Sequence, residues 1–447
     1  MRTPCKLAAL LSVIALSAQP VFADFGATID NASSVTVQDD TEFLQEDALT
    51  LWFSALLGPR LRFDASARAT VSSEKPNLYA DVERFTLSGD IPSAGPGVPG
   101  FTFDLGKFLQ SDFTSAVLSQ PATGIRLGFA YPWTSLKLAF GYTGLNSADA
   151  SPLVLSRMDA LDEIDDEYFA APRFIASAAW EFPELFARQT LTLSAVVQED
   201  LRERFDSVIE EGDDVYNPSG GGKLDTQYAG LGLSGPLAPS LYYDLYVYLG
   251  TGRMLTFQDD DQSATGQAYL YEPVVSYLFG GSFRYFLPAF YKASASAKFL
   301  YASGDSDHVG YLEGNTKGAS TAFIPVADGP FGIAFSPKAS NLMAAELSFS
   351  LKPFAASSDS FLGSLQTVAK VTPYFKVVEG VMSDAAVDIS ADSGYLGTEV
   401  DAVANLRPYS DLGLGLSLGV FVPNGSMFVD GMDSPWFVGK LTFSFSF

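Results

Sequence analysis

The chain reads as an all-β protein: a transmembrane, antiparallel, up-and-down β-barrel of about 18 strands, with about 16 as the alternative. Three observations lead there. Long segments alternate apolar and polar residues with period two. The connections between them are alternately short and long. After the N-terminal segment, no apolar run reaches the ~18 residues that a membrane-spanning helix requires.

The first residues set the compartment. Arg2 and Lys6 precede a short apolar run, Leu7 to Ala18, and Val21-Phe22-Ala23 has the small-residue form of a cleavage site. Residues 1–23 are therefore expected to be a secretory signal peptide, with the mature chain starting at Asp24. Cys5 is the only cysteine and lies inside that segment, which excludes a disulfide scaffold. Aromatics make up 13% and charged residues 18% of the 447 residues, with 36 Phe and 20 Tyr, a balance suited to many strands with one greasy face. A formal net charge of −25 argues against nucleic acid as a partner.

The alternating segments lie near 24–30, 46–57, 60–73, 77–91, 100–108, 123–131, 134–144, 171–182, 188–199, 223–234, 240–252, 267–286, 289–303, 341–353, 367–379, 394–406, 410–423 and 434–447. In RLRFDASARATV, Leu61, Phe63, Ala65, Ala67 and Val71 share one face, and Arg62, Asp64, Ser66, Arg68 and Thr70 the other. In DLGLGLSLGVFV, Leu412, Leu414, Leu416, Leu418, Val420 and Val422 share one face, opposite Gly413, Gly415, Ser417 and Gly419. No internal repeat or linker divides the segments, so 24–447 is expected to be one barrel domain with long outer loops. Short connections such as those at Gly58, Tyr131, Gly235 and Arg407 alternate with long ones at 145–170, 200–222, 304–340 and 424–433. That places both termini on the short-turn side and requires an even strand number.

The tail GKLTFSFSF carries Phe443, Phe445 and Phe447 on one face. A terminal Phe after alternating aromatics resembles the C-terminal assembly signal of bacterial outer-membrane proteins. The resemblance implies the outer membrane as the destination after Sec-type export. It also implies periplasmic chaperones, the barrel-insertion machinery and the lipid bilayer as partners.

Catalytic constellations are missing. His308 is the only histidine, and no GxSxG elbow, P-loop or strand-linked GxGxxG occurs, so the chain is expected not to be an enzyme and to carry no metal or cofactor. Charge is patterned instead. Arg62, Asp64, Arg68, Arg126, Asp244, Lys292, Lys298, Glu346, Glu399 and Asp401 fall on the polar, lumen-facing parity. On the lipid face near midplane an Arg or Lys would cost about 2–4 kcal/mol. These groups either brace the wall as pairs or form a selectivity ladder. Acidic runs fall in the outer loops, notably Asp165, Asp166 and Glu167, and Asp259 to Asp261. They suit a negative vestibule, weak calcium binding, or simple solvation. With lumen charges partly offsetting one another, the vestibule is expected to give a weak cation preference.

Two segments are candidates to narrow the lumen: 108–121, with Phe108, Leu109, Phe113, Val117 and Leu118, and 151–168. The first is placed like the infolded loop of general porins. Residues 394–424, with Gly397, Glu399 and Asp401, resemble the late strands of the alginate-export porin family, and YASGDSD (301–307) is similarly placed to a strand end in that group. The resemblance implies a monomeric 18-stranded channel. The function expected is passive diffusion of small polar solutes or ions through an outer-membrane porin-like channel. The alternatives are a surface-exposed structural or adhesin barrel and a FadL-like transporter of hydrophobic molecules. A TonB-dependent receptor would need more chain than is present.

Overall fold

A computed structural model describes residues 22–447 apart from 39, 75–76, 96, 149–152, 158, 161–167, 203–208, 210, 218–220, 330 and 357–360. The expected signal peptide falls almost wholly outside them.

Among the described residues twenty strands follow one another: β1 (Phe22–Val37), β2 (Thr41–Gly58), β3 (Leu61–Ser72), β4 (Leu78–Ile91), β5 (Gly100–Ser111), β6 (Ser119–Ala130), β7 (Ser135–Tyr142), β8 (Arg173–Phe186), β9 (Gln189–Asp200), β10 (Leu224–Ala238), β11 (Leu241–Asp259), β12 (Gln267–Leu287), β13 (Ala293–Ala302), β14 (His308–Gly310), β15 (Gly314–Asn315), β16 (Leu342–Leu351), β17 (Gln366–Lys376), β18 (Gly394–Tyr409), β19 (Leu412–Pro423) and β20 (Trp436–Ser446). β14 and β15 pair only with each other; the other 18 form one sheet. Every wall strand pairs antiparallel with its neighbours in chain order, and β20 returns to pair with β1 from Thr28↔Ser446 to Val37↔Phe437. The sheet is therefore closed and has no free edge, the condition under which strands can cross hydrocarbon.

Each expected segment corresponds to one wall strand. The largest departure is at the start: β1 runs on to Val37 and turns into β2 at Thr41, where the sequence suggests a longer loop. Its polar residues pair laterally instead. Asn31 donates to Asp47 at 2.7 Å and Ser33 to Gln45 at 2.8 Å. The near-side connections are short at 59–60, 187–188, 239–240 and 410–411, and the far-side ones long at 143–172, 201–223 and 303–341. At the near-side turns Ala187 and Arg188 hold φ of 44° and 62°, the left-handed pair that a two-residue hairpin needs.

The outer face carries Leu51, Phe53, Phe85, Val247, Leu347 and Leu416, all exposed. Trp133, Tyr285 and Tyr409 lie beside the short turns, where an interfacial girdle belongs. So much contiguous apolar surface is tenable only under lipid. No helix among the described residues is long and apolar enough to span a membrane, so the crossing is made by strands. The packed core lies inside the barrel, where Val117, Leu118, Tyr248, Phe335, Phe421 and Trp436 are buried in one cluster.

Phe443 and Phe447 are exposed on the outer face of β20. Phe447 closes the seam, exchanging two backbone hydrogen bonds of 2.9 Å with Ala27. Deleting Phe447 removes both. The expected outcome is less heat-modifiable folded barrel in the membrane fraction, with normal conduction by the barrels that form. An unchanged yield would contradict this.

Candidate functional site

The lumen is shaped by two infolded segments. The first is the connection between β5 and β6. Asp112 accepts the backbone N–H groups of Thr114, Val117 and Leu118, which coils residues 112–118 into a tight loop. The same carboxylate accepts the Tyr248 hydroxyl of β11 at 2.6 Å. Phe113 stacks on Tyr248 with ring centroids 5.6 Å apart, and Gly232 on β10 leaves it room. The loop thus spans from β5 to β10 and β11 across the interior. This part of the 108–121 expectation holds, although Leu109 points outward and is exposed.

The second segment is the long connection 303–341, whose inward course the sequence reading missed. Ser320 extends the β12 ladder, exchanging hydrogen bonds of 2.9 and 2.8 Å with Pro273 and Val275. The chain then passes Tyr228 of β10, whose hydroxyl donates to the Ile324 carbonyl. Val326 pairs in parallel with Leu118 of the first loop. At the far end Glu399 of β18 takes three backbone N–H groups: Ile333 at 2.6 Å, Ala334 at 2.7 Å and Phe335 at 3.0 Å. Gly332 makes this cradle possible. Its φ is 77°, and a Cβ there would lie 2.0 Å from the Phe335 carbonyl oxygen and 2.7 Å from Glu399 Oε2. Phe335 then seats among Tyr374, Phe421, Phe428 and Trp436. A signal was present in the sequence: TAFIPVADGPFGIAFSP is too apolar for a solvated outer loop.

Part of 151–168 also turns inward. Leu153 and Leu155 are buried in the central cluster, and Asp159 pairs with Arg173 at 2.5 Å and Arg202 at 2.7 Å. Above the plug, Val154, Arg157, Tyr311, Glu313, Lys338 and Met382 help line a mouth cavity of about 870 Å³. Lys338 is half-buried there. Burial pushes its ammonium below the ordinary range, opposed by Asp328 and Asp159.

These segments leave one side of the lumen uncovered. Inward-facing Arg62, Arg68 and Arg126 keep side-chain exposures of 56%, 35% and 38%. Arg62 pairs with Asp64 at 2.8 Å, and Arg68 with Asp30 at 3.2 Å. Arg126 lies 3.6 Å from Asp104 and 4.4 Å over the Phe108 ring. Arg84, opposite Ser66 on the same face, is exposed. On the covered side, Lys298 reaches Glu346 at 3.5 Å, and Lys370 lies between Glu346 and Asp401 at 3.8 and 4.0 Å. Glu346, Glu399 and Asp401 are buried, so they act beneath the plug rather than as open lumen charges. Asp244 faces inward between Ser234 and Ser282. Lys292 departs from expectation: it sits in the near-side turn 288–292 at φ 50°, not on the wall. Asp165, Asp166 and Glu167 lie outside the described residues.

No family model matches the chain, and no curated protein matches it. Solved structures do. The chain is similar to Pseudomonas aeruginosa OccK2 in complex with glucuronate, with a TM-score of 0.56 at 12% identity over 95% of this chain and 97% of that one. It is similar to OccK8 of the same organism at 0.56 and 12%, over 95% and 98%. It is also similar to OpdK with vanillate at 0.54 and 13%, again over 95% and 98%. At these identities the likeness is one of fold.

Two outcomes follow. Glu399→Ala leaves three backbone donors without their carboxylate, each such bond being worth about 1.5–3 kcal/mol. Amide-exchange protection at Ile333, Ala334 and Phe335 should fall at least about tenfold, and single-channel conductance should become larger and noisier. Unchanged protection would show that Glu399 does not hold the loop. The second outcome concerns pH. Burial holds the His308 imidazole below its ordinary range, with Asp305 and Asp307 pulling the other way, and its Nε2 lies 2.7 Å from the Ser320 hydroxyl. A folded-state pKa below the unfolded value gives stability that is present above the ordinary imidazole pKa and lost as pH falls from there through the lowered folded value. Lowering pH from about 7.5 to about 5 should therefore loosen residues 308–320, and His308→Gln should remove that response in limited proteolysis.

Proposed function

We propose that this chain is an outer-membrane porin-like channel for passive diffusion of small polar solutes or ions. The carrying observation is the closed 18-strand barrel, greasy outside, whose infolded loops cover one side of the lumen and leave a charged, partly exposed wall on the other. The solved structures it resembles are outer-membrane porins of Pseudomonas aeruginosa, which supports this reading and the location. Export would use residues 1–23, and insertion would use the terminal aromatic strand.

No chemistry of bond-making is assigned to the chain. A FadL-like role for hydrophobic cargo is disfavoured by the composition of the open wall, where Arg62, Asp64, Ser66 and Arg68 follow one another on the inward face. The resemblance of residues 394–424 to alginate-export porins concerns wall strands rather than cargo, because Glu399 is occupied by the infolded loop.

Wall charges are largely compensated: Asp64 by Arg62, Asp30 by Arg68, Asp81 by Lys107 and Asp104 by Arg126. The loop side holds Asp213, Asp214 and Asp259 to Asp261. The mouth therefore sets the sign, and the channel should prefer cations weakly at low salt. At about 1 M salt the Debye length is roughly 3 Å and the preference should fade. Neutralising Asp259, Asp260 and Asp261 should weaken it, and Arg126→Ala should strengthen it by freeing Asp104. Reversal potentials across a salt gradient measure both. Anion preference in the unmodified channel would contradict the assignment, and a lack of conductance would contradict the channel.

A further inference from the structure

The chain has four tryptophans, at 52, 133, 180 and 436. Trp133 and Trp180 are exposed outside the pore, in a near-side turn and on the outer face of β8, and Trp436 is buried under Phe335. Trp52 differs from all three. Leu51 and Phe53 flank it on the lipid face, so Trp52 on β2 points into the lumen. It pairs with Gly26 on β1 and Ser66 on β3. A Cβ on Gly26 would lie 2.5 Å from the indole ring, so the ring rests directly on the β1 backbone and only glycine admits it. With one face against the wall, Trp52 is still 36% exposed. It is a flat aromatic surface open to the aqueous side of the channel.

Its surroundings are hydrogen-bonding groups of both signs. Ser66 and Arg84 continue the same transverse row over the next two strands. One step toward the near side, Ser54 stands opposite Asp64, which is paired to Arg62 at 2.8 Å. One step the other way, Thr50 stands opposite Arg68. Strands lie about 4.8 Å apart, so the row from Trp52 to Arg84 spans about 10 Å, the scale of one or two sugar rings. An apolar plate edged by a few placed donors and acceptors is the pattern of a small-molecule subsite. The C–H face of a pyranose fits the plate, and its equatorial hydroxyls fit the flanking Ser, Arg and Asp groups. Arg62 is paired with Asp64 and Arg68 with Asp30, and the remaining Arg84 is matched in sign by Asp24, opposite Ser54, so the charges around the plate balance and the fit favours a neutral sugar over a charged one.

We propose that Trp52 is a lumen binding platform for neutral pyranose sugars, deepening the channel reading on which it rests. The test uses the purified full-length protein in planar bilayers, with maltose as probe. Maltose should reversibly reduce the ionic current and quench tryptophan emission in detergent. Trp52→Ala should raise the half-blocking concentration about tenfold or more while single-channel ionic conductance persists. Trp52→Phe, which keeps an aromatic face, should retain block but lose the quench. Absence of any conductance in the unmodified protein would sink the channel reading itself. Conductance that maltose leaves unaltered, or block that Trp52→Ala leaves unaltered, would overturn this proposal alone. Tighter block by glucuronate than by maltose would overturn the assignment to neutral sugars.

Discussion

Hydrocarbon offers no water to an unpaired N–H or C=O, and this one constraint organises the molecule. Each strand of the wall must find two partners, so the sheet must close. β1 and β20 complete it over ten paired positions, and Phe447 extends the seam by two further backbone bonds to Ala27. Closure separates two surfaces, and period-two alternation assigns them. Leu51 and Phe53 meet lipid while Trp52 between them meets the lumen. A slip of one residue would exchange the faces.

A barrel this wide has more interior than its wall side chains can fill. The chain fills part of it with its own loops, and the fixing points are polar. Asp112 gathers its loop and the Tyr248 hydroxyl. Glu399 gathers three backbone N–H groups from the 303–341 connection. A buried carboxylate is costly unless its lone pairs are used, and here they are. Aromatic packing around Phe335 then adds bulk where the carboxylate has set position. The result is an asymmetric lumen, packed beside β9 to β13 and β16 to β19 and wet beside β1 to β4.

The wall was legible because membrane strands leave a long signature. Leu412 to Val420 alternate with glycine and serine along most of β19, and no soluble helix would do so. Errors arose where a residue belongs to two patterns. Lys292 continues the parity of Ser294, Ser296 and Lys298, yet the turn claims it with a left-handed backbone. Asn31 and Ser33 read as loop because both faces are polar, but lateral hydrogen bonds to Asp47 and Gln45 keep them in β1. Glu399 carries the right parity for a lumen charge, but parity cannot reveal that a loop 64 to 66 residues upstream supplies its partners. The apolar content of 321–337 was the available clue to that loop, and position in a long outer connection outweighed it.

The central claim is that water crosses the barrel beside β1 to β4 and not beneath the infolded loops. Cys5 is the only native cysteine and lies within the expected signal peptide, so single cysteines can report access. Ser66→Cys lies on the open wall, whereas Ser194→Cys and Thr372→Cys lie on the covered side, where the native residues are buried. A charged, membrane-impermeant thiol reagent applied during bilayer recording should lower the current through the Ser66→Cys channel and leave the other two unchanged. Block at positions 194 and 372 with none at 66 would contradict the account.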